Sequence, residues 1–128
     1  MAQNEADNMA EVERLKSRML KKVFFVMSRS IVDAAAMKPL MLEHYHWIIA
    51  LEKSGVVLGS GPLFGADGTQ GVGMTIFRAD SHEAAEALAV GDPFVRGGAV
   101  TFTMQRWQVN EGRITLSLDF SDQTFSFG

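Results

Sequence analysis

No cysteine occurs in the 128 residues, which removes disulfides, thiolate nucleophiles and thiolate metal ligands together. That absence agrees with a reducing cytoplasm, the compartment expected for the chain. Basic charge is scarce as well. Twelve Lys and Arg stand against 15 Asp and Glu, and the net charge of -3 supplies no drive toward phosphate backbones or anionic lipid. Nucleic acid is therefore not an expected partner. Long apolar runs are also missing: stretches such as Val23 to Met27 fall far short of the ~20 residues that cross a bilayer. No apolar segment follows a basic start, so neither membrane insertion nor export is expected.

What remains is a chain built to fold. With 47% hydrophobic and 21% charged residues, nine Phe and eight Met, it has enough apolar surface for a core, and its length suits one domain. Residues 1 to about 20 read as a charged helical extension, with Met9, Val12, Leu15 and Met19 on one stripe, leaving 21–128 as the folded domain. The run Val23-Phe24-Phe25-Val26-Met27 is β-branched and aromatic without polar alternation, as in a strand covered on both faces; it is assigned to 22–28, ahead of the polar stretch Ser28-Arg29-Ser30. From Asp33 to Ser54 the pattern is helical, with Pro39 suited to the first turn and Gly55 to the left-handed position just past the end.

Val56 to Leu63 reads as a strand held open by Gly59-Ser60-Gly61 and closed by Pro62; a turn-rich segment, Gly65 to Gly71, links it to a strand over 72–78. Asp80 or Ser81 can cap a second helix, with Glu83 placed for a capping box from Asp80. Asp92-Pro93 restarts the chain. Val100, Phe102 and Met104 alternate with polar residues in a strand reaching Val109; Asn110-Glu111-Gly112 is expected to turn it into a final strand in which Ile114, Leu116, Leu118 and Phe120 alternate, followed by a weakly specified tail.

The middle of this order is βαββαβ, the pattern of a ferredoxin-like α+β fold: an antiparallel sheet with helices on one face. The other face of such Phe- and Met-rich strands also needs a cover, and a second copy of the chain is the expected one.

Titratable and aromatic groups concentrate in Glu43-His44-Tyr45-His46-Trp47. Leu40, His44, Trp47 and Leu51 share a helical stripe, so His44 is expected to face the sheet, while His46 falls on the outer surface. Spacing leaves two readings of His44 open: a core histidine satisfied by its neighbours, or a half-buried imidazole that moves protons near neutral pH once an acceptor fixes its tautomer. Asp92 before Pro93 suits a helix cap; held by backbone amides it stays ionised and can also orient an imidazole. The glycine pairs around Ser60 and Val72 do not extend to a nucleotide loop, and His44, His46 and His82 form no metal-binding spacing, so no cofactor and no metal are expected.

His44, the strand Gly55-Val56-Val57-Leu58-Gly59-Ser60-Gly61-Pro62, the helix Glu83-Ala84-Ala85-Glu86-Ala87-Leu88 and the turn Asp92-Pro93-Phe94-Val95-Arg96-Gly97-Gly98 stand in an order that resembles the YCII-related proteins over roughly residues 22 to 109. The resemblance implies a ferredoxin-like fold, a homodimer joined through its sheets into an α/β barrel, and a cleft with a His-Asp pair, here His44 and Asp92. Members with known chemistry include a dehydrochlorinase of chlorinated hydroxyquinols, and the fold is similar to that of muconolactone isomerases. Some members carry a basic residue three positions before the histidine; this chain has Met41 there, with Arg29 and Lys38 as basic side chains that could substitute.

Two functions follow. One is a cofactor-independent enzyme that eliminates or isomerises a small organic acid, with His44 as proton shuttle, Asp92 orienting it, and Ser60, Gly61, Pro62 and Phe94 shaping the cleft. The other is a non-catalytic dimer that binds a small-molecule ligand in the same place.

Overall fold

The computed structural model describes residues 2–127, without the side chains of Val72 and Phe127. Met1 and Gly128, the outer ends of the extension and the tail, lie outside the described residues. Two compact units emerge: residues 23–108, and the described residues up to Lys22 together with those from Val109 on.

Residues 23–108 form the α+β, ferredoxin-like unit. Strand β1 (Lys22–Ile31) leads to helix α2 (Ala34–Lys53), after which β2 (Val57–Phe64) and β3 (Gln70–Phe77) make a hairpin; α3 (His82–Ala89), the one-turn α4 (Pro93–Arg96) and β4 (Val100–Val109) follow. The four strands lie in the order β2-β3-β1-β4. β3 runs antiparallel to both neighbours, with Met27 opposite Thr75 on one side and Ser60 opposite Thr75 on the other. Period-2 alternation decides what each face carries. Phe25, Met27 and Arg29 of β1 are buried toward the helices, and Met27, Phe77 and Val57 form a core with Ile48 of α2 and Ala89 of α3. A second cluster of Phe94, Ala99 and Val100 packs against Met37 and Leu40 at the start of α2.

Several local expectations change. β1 continues three residues beyond 28, so Arg29 sits in the strand rather than in a polar connection. Helix α2 starts at the Asp33 cap, whose carboxylate accepts the Ala36 amide at 3.3 Å, and this places Pro39 in the second turn instead of the first. Pro39 cannot donate to the Ala35 carbonyl, but Ala35 is exposed and water can serve it. Gly55 does take the left-handed conformation after the helix, at φ 84°. Ser81, not Asp80, caps α3 by accepting the Ala84 amide at 3.0 Å; Glu83 is then one residue too early for a capping box.

In the other unit, α1 (Ala2–Ser17) has no buried residue, and Met19 of the expected stripe falls beyond its end. The final strand is shorter than its alternation implied. β5 (Leu116–Leu118) pairs antiparallel with β6 (Phe125–Phe127), not with β4, while Ile114 and Phe120 lie outside it, 83% and 89% exposed. Alternation marks a strand-forming sequence but does not choose its partner, and here the tail supplies one.

Phe77 is fully buried where β3 meets α2 and α3. Phe77→Ala is expected to lower stability by about 3–5 kcal/mol, read as a fall in the urea midpoint at unchanged slope.

Candidate active site

The site grows from one carboxylate. Asp92 opens α4 as its N-cap, its Oδ1 accepting the Phe94 amide at 2.9 Å, and Pro93 fills the first helical position, where no amide proton is needed. The side chain is 0% exposed. Oδ1 also meets Nδ1 of His44 at 2.7 Å, and Oδ2 accepts Nε–H of Arg29 at 2.8 Å. Burial pushes the carboxyl pKa up, but the hydrogen bonds from His44, Arg29 and the Phe94 amide, with the charge of Arg29, outweigh it and hold Asp92 below the usual carboxylate range. An ionised acceptor requires a donor opposite. Nδ1 of His44 therefore carries its proton, and in the neutral ring Nε2 is the nitrogen with the open lone pair.

Helix α2 delivers His44 from its inward stripe, where Leu40, His44, Trp47 and Leu51 are all half-buried. The imidazole stacks on Phe94, with centroids 4.1 Å apart and planes 14° from parallel, and Tyr45 and Trp47 stand at 5.6 and 5.9 Å. Aromatic walls and the carboxylate thus fix both the tilt and the tautomer of the ring. The side chain keeps 12% of its surface open.

That opening faces a cleft of about 410 Å³ between α2 and the sheet. Met37, Met41, Ile48, Val57 and Val100 make its walls apolar, and Arg29, His44, Ser60, Gly61, Pro62 and Phe94 also line it. Each cleft residue expected from the sequence is accordingly brought to one hollow, and Asp92 lies sealed directly behind His44. His46 is exposed and lies elsewhere; His82 pairs with Glu86 on the surface of α3 at 2.9 Å. Among the described residues no group of His, Asp or Glu is arranged to hold a metal ion, and no helix is long and apolar enough to cross a membrane.

Two further residues, Arg29 and Thr75, complete the site without a sequence motif that marks them. Arg29 is 5% exposed and places Nη1 2.8 Å from Thr75 Oγ1, which lies 2.7 Å from Ser60 Oγ. Its Nη2 is buried with no hydrogen-bond partner among the described residues. Continuing the alternation of Phe25 and Met27 by one step would have turned Arg29 inward, where a cation demands a carboxylate. Lys38 is exposed and does not line the cleft; Met41, the other position at issue, does.

Because the folded pKa of Asp92 lies below its unfolded value, the carboxylate stabilises the fold above the unfolded pKa, and this contribution is lost as pH falls through the folded one. Asp92→Asn leaves Arg29 buried without a counter-charge. The variant should be about 3–5 kcal/mol less stable at neutral pH. Urea titrations should show that gap closing only as pH drops below about 4.

The model of the YCII-related domain matches residues 23–107. Among solved structures, the fold is similar to 5-chloro-2-hydroxyhydroquinone dehydrochlorinase (TftG) from Burkholderia phenoliruptrix AC1100, in complex with 2,5-dihydroxybenzoquinone: 19% identity, a TM-score of 0.56, and coverage of 66% of this chain and 93% of that one. No curated protein matches the chain. With the family model running from β1 into β4, the chain belongs to the YCII-related domain family.

Proposed function

We propose that the protein is a small cofactor-independent enzyme that moves a proton on a small organic acid, by elimination or isomerisation, with His44 as general base and acid and Asp92 as its orienting partner. The observation that carries this reading is the 2.7 Å contact between His44 Nδ1 and a sealed, ionised Asp92, with the other ring nitrogen left for an apolar cleft. Asp92 stabilises the imidazolium that forms when Nε2 takes a proton, and the stacked Phe94 keeps the ring from swinging away. Ser60, Gly61, Pro62 and Phe94 bound the space for substrate. The fold shared with a dehydrochlorinase that binds a dihydroxybenzoquinone supports a small, ring-containing substrate class.

Proton exchange at carbon, followed by NMR in D2O over a panel of cyclic keto acids and hydroxyquinones, together with chloride release from chlorinated hydroxyquinols, tests the assignment. Wild type should accelerate at least one member, and His44→Gln should cut that rate by about 10²–10⁴-fold. A panel on which wild type and His44→Gln behave alike would instead make the cleft a binding site without chemistry.

A homodimer belongs to the same reading. The strand residues that alternate away from the helices include Val26, Met74, Ile76 and Trp107, an apolar set on the sheet face that α2 to α4 leave uncovered. A second copy meeting this face would close the barrel that the family resemblance implies. Light scattering at micromolar concentration should give twice the chain mass of 14.0 kDa; the mass of a single chain would reject the dimer.

A further inference from the structure

The β2 side of the cleft holds a hydrogen-bond chain whose polarity is forced. Arg29 has only N–H groups to offer, so it donates to Asp92 Oδ2 at one end and to Thr75 Oγ1 at the other. Thr75 is 0% exposed, and a buried hydroxyl keeps its proton in a hydrogen bond. Among the described residues the acceptor within reach is Ser60 Oγ at 2.7 Å. Thr75 therefore accepts from Arg29 and donates to Ser60, which leaves the proton of Ser60 unspent. Ser60 is exposed and lines the cleft.

The chain Ser60-Thr75-Arg29-Asp92-His44 thus begins and ends at the same hollow. At one end His44 Nε2 accepts a proton, and at the other Ser60 Oγ–H donates one. A base and a hydrogen-bond donor facing a shared apolar space are the two groups needed to remove a proton from carbon next to a carbonyl, since the charge left behind settles on oxygen.

We propose that Ser60 is the oxyanion donor of this cleft and that the substrates are small carbonyl compounds that pass through an enolate. Thr75 and Arg29 act as positioning residues. This rests on the proton-transfer reading above and adds the functional group that the substrate must carry. His44 Nε2 takes the proton from the carbon beside the carbonyl, the C–H electron pair becomes the new C=C bond, and the carbonyl π pair moves onto oxygen, which accepts the Ser60 proton in a hydrogen bond. Where a second C=C bond is conjugated with the enolate, return of the proton from His44 to the far carbon of that system gives an isomer. Departure of a β-substituent with its bonding pair restores the C=O, leaves a C=C bond and completes an elimination, the proton passing from His44 to water. Met37, Met41, Ile48 and Val57 provide the low-polarity walls that make a single donor count at the developing charge.

The probe is 4-nitrophenolate, a planar stand-in for an enolate oxygen whose visible absorption moves to shorter wavelength when that oxygen accepts a hydrogen bond. Bound to wild type, it should absorb at shorter wavelength than when bound to Ser60→Ala. That substitution should also weaken binding by about ten- to a hundredfold. Ser60→Thr should restore both, and Thr75→Val should behave as Ser60→Ala does. His44→Gln should keep the shift, because it removes the base and spares the donor. Unchanged affinity and spectrum in Ser60→Ala would overturn the proposal, as would failure of the wild type to bind the probe at millimolar concentration. Loss of turnover in His44→Gln beside an unmoved Ser60→Ala spectrum would strike down the donor and leave the proton-transfer reading standing. A Ser60-dependent shift in a protein that turns over no carbon acid would do the reverse.

Discussion

A carboxylate with no access to water governs this domain. Asp92 can remain ionised in the interior only because a guanidinium, an imidazole and a backbone amide all direct hydrogen-bond donors at its two oxygens. Satisfying it ties β1, α2 and α4 to one point, so the geometry that keeps the charge buried is also the geometry that orients His44. Stability and the orientation of the imidazole draw on the same contacts. An Arg-to-carboxylate pair of this kind adds little to stability when weighed against a hydrophobic substitute, and its worth lies in fixing one arrangement of the surrounding groups.

Much of the fold was readable because its signals are periodic. The β-branched run of β1, the helical spacing from Asp33 to Ser54 and the cap sequence Asp92-Pro93 each have a physical cause that acts locally, and each sits where the pattern placed it. His44 was found for the same reason: it shares a stripe with Leu40, Trp47 and Leu51. What escaped depended on partners far along the chain. Arg29 looks like part of a polar connector until β3 and the α4 cap are present to receive it, and Thr75 is one unremarkable strand residue until Arg29 and Ser60 stand on either side of it. Pro39 lies a turn deeper than a proline-led start would put it, because the Asp33 cap begins α2. The partner of the last strand is not legible at all, because alternation carries no information about which edge a strand will join.

The YCII-related match and the fold shared at 19% identity define a scaffold, and scaffolds of this size host unrelated reactions. On that scaffold this chain places a cleft wall of methionines and aliphatics around an imidazole, and a serine at the other end of a buried polar chain. Met41 makes the helical wall apolar near His44, and the buried guanidinium of Arg29 uses Nε on Asp92 and Nη1 on Thr75. The cleft thus offers apolar walls, aromatic rings and a neutral hydroxyl.

The sequence distances inside this network bear on how the chain acquires it. Arg29 and Asp92 lie 63 residues apart, His44 and Asp92 48, and Arg29 and Thr75 46. Loops of that length close late in the folding of an antiparallel α+β domain, after local helices and the β2-β3 hairpin can already form. Until they close, Arg29 and Asp92 keep their hydration shells and the imidazole has no fixed tautomer. The arrangement around His44 therefore depends on tertiary closure and not on any local segment of the chain.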